Sequence, residues 1–300
     1  MENISSNTAK RTVVKYTTHT NVGLEPTQYS QYAIGYVLSG EKYIHDNEKL
    51  IRVSQGEVFF LGVGTHYIEN IPVVNELYEQ ITFYYTPSQM QQIIASIDSD
   101  IHEVKLSPEM VSSNVAVERP NKILRNFFIG ANNHFEYGGF IVNPDGERIK
   151  LMELALIILS EPKSQLNKML LNSLDHDKAQ FERVIHSNIL NDKTIEELAT
   201  ECNKSLTSFK KEFKHIFQLP PHQWYLHQRL LYARLLLKTT RKSISQVGGN
   251  CAFPNTSHFI KLFKRQYGYT PANYRSKQLD ESTQQHIAPP QRHHEAITMG

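Results

Sequence analysis

Thr194-Ile195-Glu196-Glu197-Leu198-Ala199, then Ser205-Leu206-Thr207-Ser208-Phe209 and Phe213-Lys214, recurs as Ser243-Ile244-Ser245-Gln246-Val247-Gly248, then Asn255-Thr256-Ser257-His258-Phe259 and Phe263-Lys264. A shift of fifty positions superposes Phe209 on Phe259, Phe213 on Phe263, Lys214 on Lys264, Pro221 on Pro271 and Trp224 on Tyr274. The leading segments need a shift one shorter, so the second copy carries one extra residue in its turn. Matched apolar and cap positions at a fixed period mean that one supersecondary unit is written twice.

The unit is a helix-turn-helix. Thr194 with Glu197, and Ser243 with Gln246, have capping-box spacing, in which side chains satisfy the orphan amides of a helix start. After a short turn, Ser205 and either Asn255 or Thr256 are suited to cap a second helix. Its buried side is Phe209/Phe213 or Phe259/Phe263, four apart on one face. Pro254 is expected to open the second of these helices, a position where proline is tolerated. The opposite faces carry short polar and basic residues, the types that reach base edges and phosphates. The expected DNA-facing set is Ser205, Thr207, Ser208, Lys210 and Lys211 in one copy, and Asn255, Thr256, Ser257, His258, Lys261, Lys264 and Arg265 in the other. A single copy of this pattern is equally compatible with a helical repeat whose basic face is only solvated.

Charge distribution decides between those readings. The chain is nearly neutral, with 32 Lys+Arg against 30 Asp+Glu. Fourteen of the basic residues and a single acid, Glu212, lie between Cys202 and Lys277, which leaves the rest net acidic. Such segregation is the electrostatic footprint of a polyanion-binding surface, and a helix-turn-helix within it points to duplex DNA.

These residues resemble the AraC/XylS family of bacterial transcription regulators over roughly the last third of the chain. The resemblance rests on Ser243-Ile244-Ser245, Phe253, Ser257-His258-Phe259, Phe263-Lys264 and the ending Gly268-Tyr269-Thr270-Pro271-Ala272-Asn273-Tyr274-Arg275. Gly248 stands where the family usually has alanine, and Ala252 where it usually has glycine. Adjacent Gly248 and Gly249 cost about 1 kcal/mol each relative to alanine and should soften that helix. The resemblance implies a pair of helix-turn-helix units bridged by a long helix. It also suggests a partner subunit, so a homodimer is expected; double-stranded DNA, a small-molecule effector and RNA polymerase are the other expected partners, and no cofactor or membrane is expected.

Three hundred residues of ordinary apolar content suggest two domains. The start, Met1-Glu2-Asn3-Ile4-Ser5-Ser6, lacks a basic-then-apolar signal pattern, and the longest apolar run, Leu154 to Leu159, falls far short of the ~20 residues of a membrane span. A cytoplasmic protein is expected. Cys202 and Cys251 occupy equivalent places in the two repeats. They are expected as small core residues in a reducing compartment, a disulfide being the alternative.

Between Thr12 and Tyr85 the pattern changes to short alternating stretches separated by turn signals. Tyr32 to Leu38, Glu41 to His45, Leu50 to Val53, Glu57 to Leu61 and Tyr78 to Tyr85 are the clearest, with turns at Ser39-Gly40 and Asp46-Asn47. An antiparallel sandwich or barrel follows. Gly56-Glu57-Val58-Phe59-Phe60-Leu61-Gly62-Val63-Gly64-Thr65-His66, with Asn70 beyond, resembles the second motif of the cupin barrel. The first motif's histidine pair has no counterpart in Tyr36 to His45. His66 alone cannot supply the three or four convergent ligands of a metal site. It is expected as a structural hydrogen-bonder or a polar group of a cavity. The stretch Tyr29 to Pro87 also resembles the sensory barrel that many of these regulators carry in front of their DNA-binding half. Tyr32, Tyr36, Tyr43, Phe59 and Tyr84, together with His66, are the candidate ligand-binding residues, either lining a pocket or filling the barrel.

Helices take over after Pro87, at Ser88 to Ile97, Asn121 to His134 and Arg148 to Leu159, with Gly138-Gly139 and Asn143-Pro144-Asp145-Gly146 as loops. The last helix is apolar nearly all round, through Leu151, Met152, Leu154, Ala155, Leu156, Ile158 and Leu159. It needs cover on two sides, from the barrel and from either a partner subunit or the same chain. Leu174 to Lys178 is expected as a linker, with Phe181 to Leu190 opening the DNA-binding half. Gln223 to Thr239 is the bridge, about 25 Å long at 1.5 Å per residue. The polar end, with Gln284-Gln285-His286, Pro289-Pro290 and His293-His294, is expected to be disordered.

The expected architecture is α+β in two domains. A cupin-like antiparallel β-barrel with flanking helices, the sensory and dimerisation domain, occupies 11–172. An all-α double helix-turn-helix occupies 180–277, and 278–300 is a tail. The function expected is an effector-responsive, sequence-specific transcription regulator rather than an enzyme. A cupin enzyme with a DNA-binding appendage, or a regulator whose barrel only oligomerises, are the alternatives.

Overall fold

The alternating stretches form antiparallel ladders in a computed structural model that describes residues 12–21, 25–46, 49–73, 76–97, 114–137 and 143–277. The strands are β1 (Val13–Thr18), β2 (Glu25–Tyr29), β3 (Tyr32–Ser39), β4 (Glu41–Asp46), β5 (Lys49–Val53), β6 (Val58–Leu61), β7 (Gly64–Ile71), β8 (Tyr78–Tyr85) and β9 (Val115–Glu118). One sheet has the order β1-β8-β3-β6-β9 and the other β2-β7-β4-β5. The five stretches singled out in the sequence are β3, β4, β5, β6 and β8. β1, β2, β7 and β9 go beyond them; β7, reading Gly64-Thr65-His66-Tyr67-Ile68-Glu69-Asn70-Ile71, is too polar to announce itself by alternation.

Period-two alternation sorts β3 onto two cores. Ala33 and Val37 join Phe59, Leu61 and Tyr78 of the same sheet against Ile44, Val53 and Ile68 of the other. Ile34 and Tyr36 join Phe60, Ile81, Phe83 and Tyr85 on the opposite face, which helices cover. Gly35 pairs with Phe59 across the ladder, and a Cβ there would fall 2.1 Å from the Phe59 ring, so only glycine admits that ring between the sheets.

The covering helices are α1 (Pro87–Ile97), α2 (Lys122–Glu136), α3 (Pro144–Leu159) and α4 (Gln165–Asn172). α3 begins earlier than expected. Asn143 caps it by accepting from the Gly146 amide at 2.8 Å, with Pro144 in the first turn, so 143–146 is a helix start and not a loop. α3 turns Leu151, Leu154, Ala155 and Ile158 into the core and leaves Ile149 and Leu156 exposed. Nor is 174–178 a linker: Asp175 accepts from the Lys178 amide and starts α5 (His176–Ser187), which packs on β7.

The last third holds α6 (Ile195–Glu201), α7 (Leu206–Phe217), α8 (Pro221–Thr239), α9 (Ile244–Asn250) and α10 (Thr256–Tyr267), with residues 271–277 also helical. The chain divides into two compact units between Gln228 and Arg229, within α8. The first unit therefore contains the sheets, α1 to α5 and the first helix-turn-helix; the second contains the second helix-turn-helix. The two tails, Asn47 and the Gly138-Gly139 pair lie outside the described residues. No helix among the described residues is long and apolar enough to cross a membrane.

Candidate nucleic-acid interface

Both helix-turn-helix units are fixed by the caps read in the sequence. The Thr194 hydroxyl accepts from the Glu197 amide at 3.2 Å, and the Glu197 carboxylate accepts from the Thr194 amide at 2.7 Å. Ser243 and Gln246 repeat the exchange at 3.2 and 2.8 Å. Each turn contains a left-handed residue, Asn203 at φ 54° and Ala252 at φ 56°. Ser205 caps α7 by accepting from the Ser208 amide, and Asn255 caps α10 by accepting from the His258 amide at 2.8 Å. Pro254 precedes that cap and does not open the helix, since Asn255 intervenes in extended backbone at φ −151°.

Phe209 and Phe213 of α7 are buried with Leu198, Phe181 and Trp224. In the second copy Phe259 packs on Phe253 with ring centres 5.1 Å apart, and Phe263 on Tyr274 at 5.7 Å. A Cβ on Gly248 would lie 3.1 Å from the Phe259 ring, so the glycine lets α9 and α10 approach closely. With the aromatic stripes turned inward, Thr207, Ser208, Lys210 and Lys211 are exposed on α7, and Ser257, His258, Lys261, Lys264 and Arg265 on α10. Ser205 and Asn255 are exposed at the helix starts; Thr256 is half-buried, its hydroxyl donating to Ser245 Oγ at 3.1 Å.

The charge of this surface is cleaner than its composition suggests. Glu212, the one acid between Cys202 and Lys277, is paired with Lys204 at 2.8 Å. Arg229 and Arg275 donate to the carbonyls of Ala252 and Leu237, and Arg234 lies over the Tyr267 ring, so these three serve the scaffold. The cations left facing solvent on α7 and α10 are those expected there, and Lys214 joins them. Lys214 and Lys210 border a cavity of about 320 Å³ with Ile195, Pro220, Pro221 and His222. The fifty-residue repeat carried the signal for Lys214, which is the counterpart of Lys264. Cys202 and Cys251 are free thiols, pushed up to about 11 and about 12 by burial, and so stay protonated at neutral pH.

The aromatic residues of the barrel do not converge. Tyr32 and Tyr36 project to the helical side, Tyr36 stacking on Phe128 at 5.1 Å. Tyr43 lies on the outer face of its sheet, donating to Glu41 beside Arg52. Phe59 and Tyr84 lie between the sheets. There Tyr29 stacks on Tyr84 at 6.1 Å and meets the His66 ring edge-on at 5.5 Å. His66 is buried and Nε2 is 2.8 Å from the Gly62 carbonyl, the geometry of a structural hydrogen-bonder. Lys42, absent from the expected set, places an amine in this interior. It is fully buried, donates to Asn70 at 2.7 Å and lies over the Phe59 and Tyr78 rings. Its even-numbered partnership with Ile44 on β4 was the available signal.

Residues 198–277 match a helix-turn-helix domain family, and residues 32–169 match the ExsA N-terminal regulatory domain family. A regulatory-domain match in front of a helix-turn-helix match is the order of parts that the AraC/XylS resemblance implies. Among curated relatives, the HTH-type transcriptional regulator ExsA of Pseudomonas aeruginosa is 26% identical over 128 residues, 42% of this chain and 46% of that protein. The virulence regulon transcriptional activator VirF of Yersinia enterocolitica is 26% identical over 129 residues, 43% of this chain and 48% of that protein. The chain thus spans about half the length of the curated relatives it matches. Among solved structures, apo ToxT of Vibrio cholerae aligns over 88% of this chain and 96% of its own at 13% identity, with a TM-score of 0.48. The DNA-binding domain of AdpA in complex with a target DNA aligns over 35% of this chain and 97% of its own at 30% identity, with a TM-score of 0.34.

Proposed function

We propose that this protein is a sequence-specific regulator of transcription that reads duplex DNA with α7 and α10 and answers to an effector through its barrel. The observation that carries the reading is the pair of matching helix-turn-helix units, each capped at both helix starts and each presenting an exposed polar and basic face. Lys210, Lys211, Lys264 and Arg265 are assigned to phosphates. Thr207, Ser208, Asn255, Ser257, His258 and Lys261 are assigned to base edges, with Thr256 bracing the turn.

The proposed domains are 11–172 for regulation and dimerisation and 180–277 for DNA. The inner set around Tyr29, Phe59, His66 and Tyr84 is the proposed effector-facing part of the barrel. A homodimer, contact with RNA polymerase, a cytoplasmic location and the absence of catalysis complete the proposal. The dimer face is assigned to α2 and α3, where Ile123, Ile129, Ile149 and Leu156 are exposed apolar side chains. Selection of bound duplexes from a random-sequence library by the full chain, followed by titration of the selected and scrambled duplexes, tests the reading. A selected duplex bound at least about a thousandfold more tightly than the scrambled one is the expected outcome; equal affinities would refute it.

A further inference from the structure

α5 serves two cores at once. Phe181 and Ile185, with Ile189 just beyond the helix, pack with Phe209 and Phe213 of α7, and Tyr225 of α8 donates to the Ile185 carbonyl at 3.1 Å. On another side, Ala179 belongs to the core between the helices and the first sheet, and Glu182 is buried with Oε2 lacking a hydrogen-bond partner. One turn further, His186 meets the start of β7. The Thr65 amide donates to Nδ1 at 3.3 Å, and the Thr65 hydroxyl donates to the His186 carbonyl at 3.3 Å. Gly64 lies so close to the ring that a Cβ would come within 2.7 Å of it.

The far side of the same imidazole touches the first helix-turn-helix. Its ring centre is 5.2 Å from Trp224 and 5.7 Å from Phe217, both edge-on. Phe217 in turn lies 4.5 Å from Phe213, so ring contacts run from His186, which is hydrogen-bonded to Thr65, to the buried side of α7. With Nδ1 accepting, the proton of the neutral ring sits on Nε2, which is buried and has no hydrogen-bond partner. An unpaired buried donor costs free energy that a purely structural contact could avoid with an apolar ring of similar shape.

We propose that His186 is a positioning residue: wedged between the Gly64–Thr65 corner of β7 and the Phe217–Trp224 pair, it lets the barrel set the placement of the first reading helix, α7. This rests on the proposal that α7 reads DNA. The occupancy of the barrel then acts on one of the two reading helices directly, through side chains in contact, with no need for the chain to rearrange elsewhere. Coupling of this kind is established by perturbing one end and reading the other.

The test perturbs only the barrel side of the full chain. Thr65→Val removes the hydroxyl bond and keeps the shape; Gly64→Ala pushes a methyl group into the imidazole; Thr65→Ser retains the bond; Lys49→Ala, on the exposed strand β5, is the control. Amide hydrogen exchange is measured over 206–217 and 256–267. Affinity is measured for the duplex selected by the wild-type chain and for versions mutated in the base block that responds to Thr207→Ala or in the block that responds to His258→Ala. The expected result for Thr65→Val and Gly64→Ala is faster exchange in 206–217 alone, with a loss of between about twofold and thirtyfold confined to the Thr207 block. Thr65→Ser and Lys49→Ala should match the wild type. Unchanged exchange in 206–217 for folded Thr65→Val, or a loss spread equally over both blocks, would overturn the proposal. If the wild-type chain selects no duplex, the DNA-reading proposal falls, while the exchange comparison still decides the coupling.

Discussion

Lys42 Nζ donates to Asn70 Oδ1 at 2.7 Å in the space between the two sheets. Burial pushes this amine down to about 7 from its ordinary 10.5. The folded chain therefore binds fewer protons there than the unfolded chain between those values, and stability contributed by Lys42 rises with pH across that window and is lost as pH falls through 7. Groups that burial pushes up act in the opposite sense only as pH rises through their ordinary values, about 9 for the Cys202 and Cys251 thiols and 10 for Tyr84. Unfolding by denaturant between pH 7 and pH 9 should thus show stability increasing in the wild type and a flatter profile in Lys42→Met. Parallel profiles for the two proteins would show that Lys42 is not held neutral by the fold.

The α9 helix carries a removable weakness. A Cβ on Gly249 meets nothing within 4 Å, whereas one on Gly248 presses on the Phe259 ring at 3.1 Å. Gly249→Ala is expected to stabilise the second unit by about 0.5–1 kcal/mol in denaturant unfolding. Gly248→Ala should gain less, because Phe259 must yield. A Gly249→Ala protein no more stable than the wild type would mean that the softness expected of this helix has another source.

How much of this was legible follows from where periodicity and caps are strong. The capping boxes at Thr194 and Ser243 place α6 and α9 to the residue, because Ser or Thr with Glu or Gln three positions on has one local explanation. Asn143-Pro144 and Asp175 are ambiguous in sequence, since the same residues make turns and helix caps, and only the tertiary packing of α3 and α5 decides. The aromatic candidates fail to converge for a different reason. Alternation sorts residues into two faces, but both faces of the first sheet are buried, so Tyr32 and Tyr36 are as well packed as Phe59 while facing the helices. The role of His186 was out of reach, since residues 64 and 186 become neighbours only in the fold.

Leu156 is 44% exposed and Ile149 56% exposed on α3, beside a well-filled core. If α2 and α3 form the dimer face, Leu156→Lys should convert the full chain to folded monomers in sedimentation velocity at micromolar concentration, with an unfolding midpoint that no longer depends on protein concentration. An unaltered dimer would place the subunit contact elsewhere, and a wild-type monomer would remove the dimer from the proposal.

The central claim is that α7 and α10 present one phosphate-contacting and base-reading surface each. It is tested most directly by the salt dependence of binding to the selected duplex for Lys264→Ala and Lys211→Ala, alongside base preferences for Thr207→Ala and His258→Ala. Each lost phosphate contact should lower the slope of log affinity against log salt by about one unit and weaken all sequences alike. Each lost base contact should cost about 1–3 kcal/mol at particular base pairs. A full salt slope in Lys264→Ala, or unaltered base preferences when Thr207 and His258 are both alanine, would contradict the assignment of these faces.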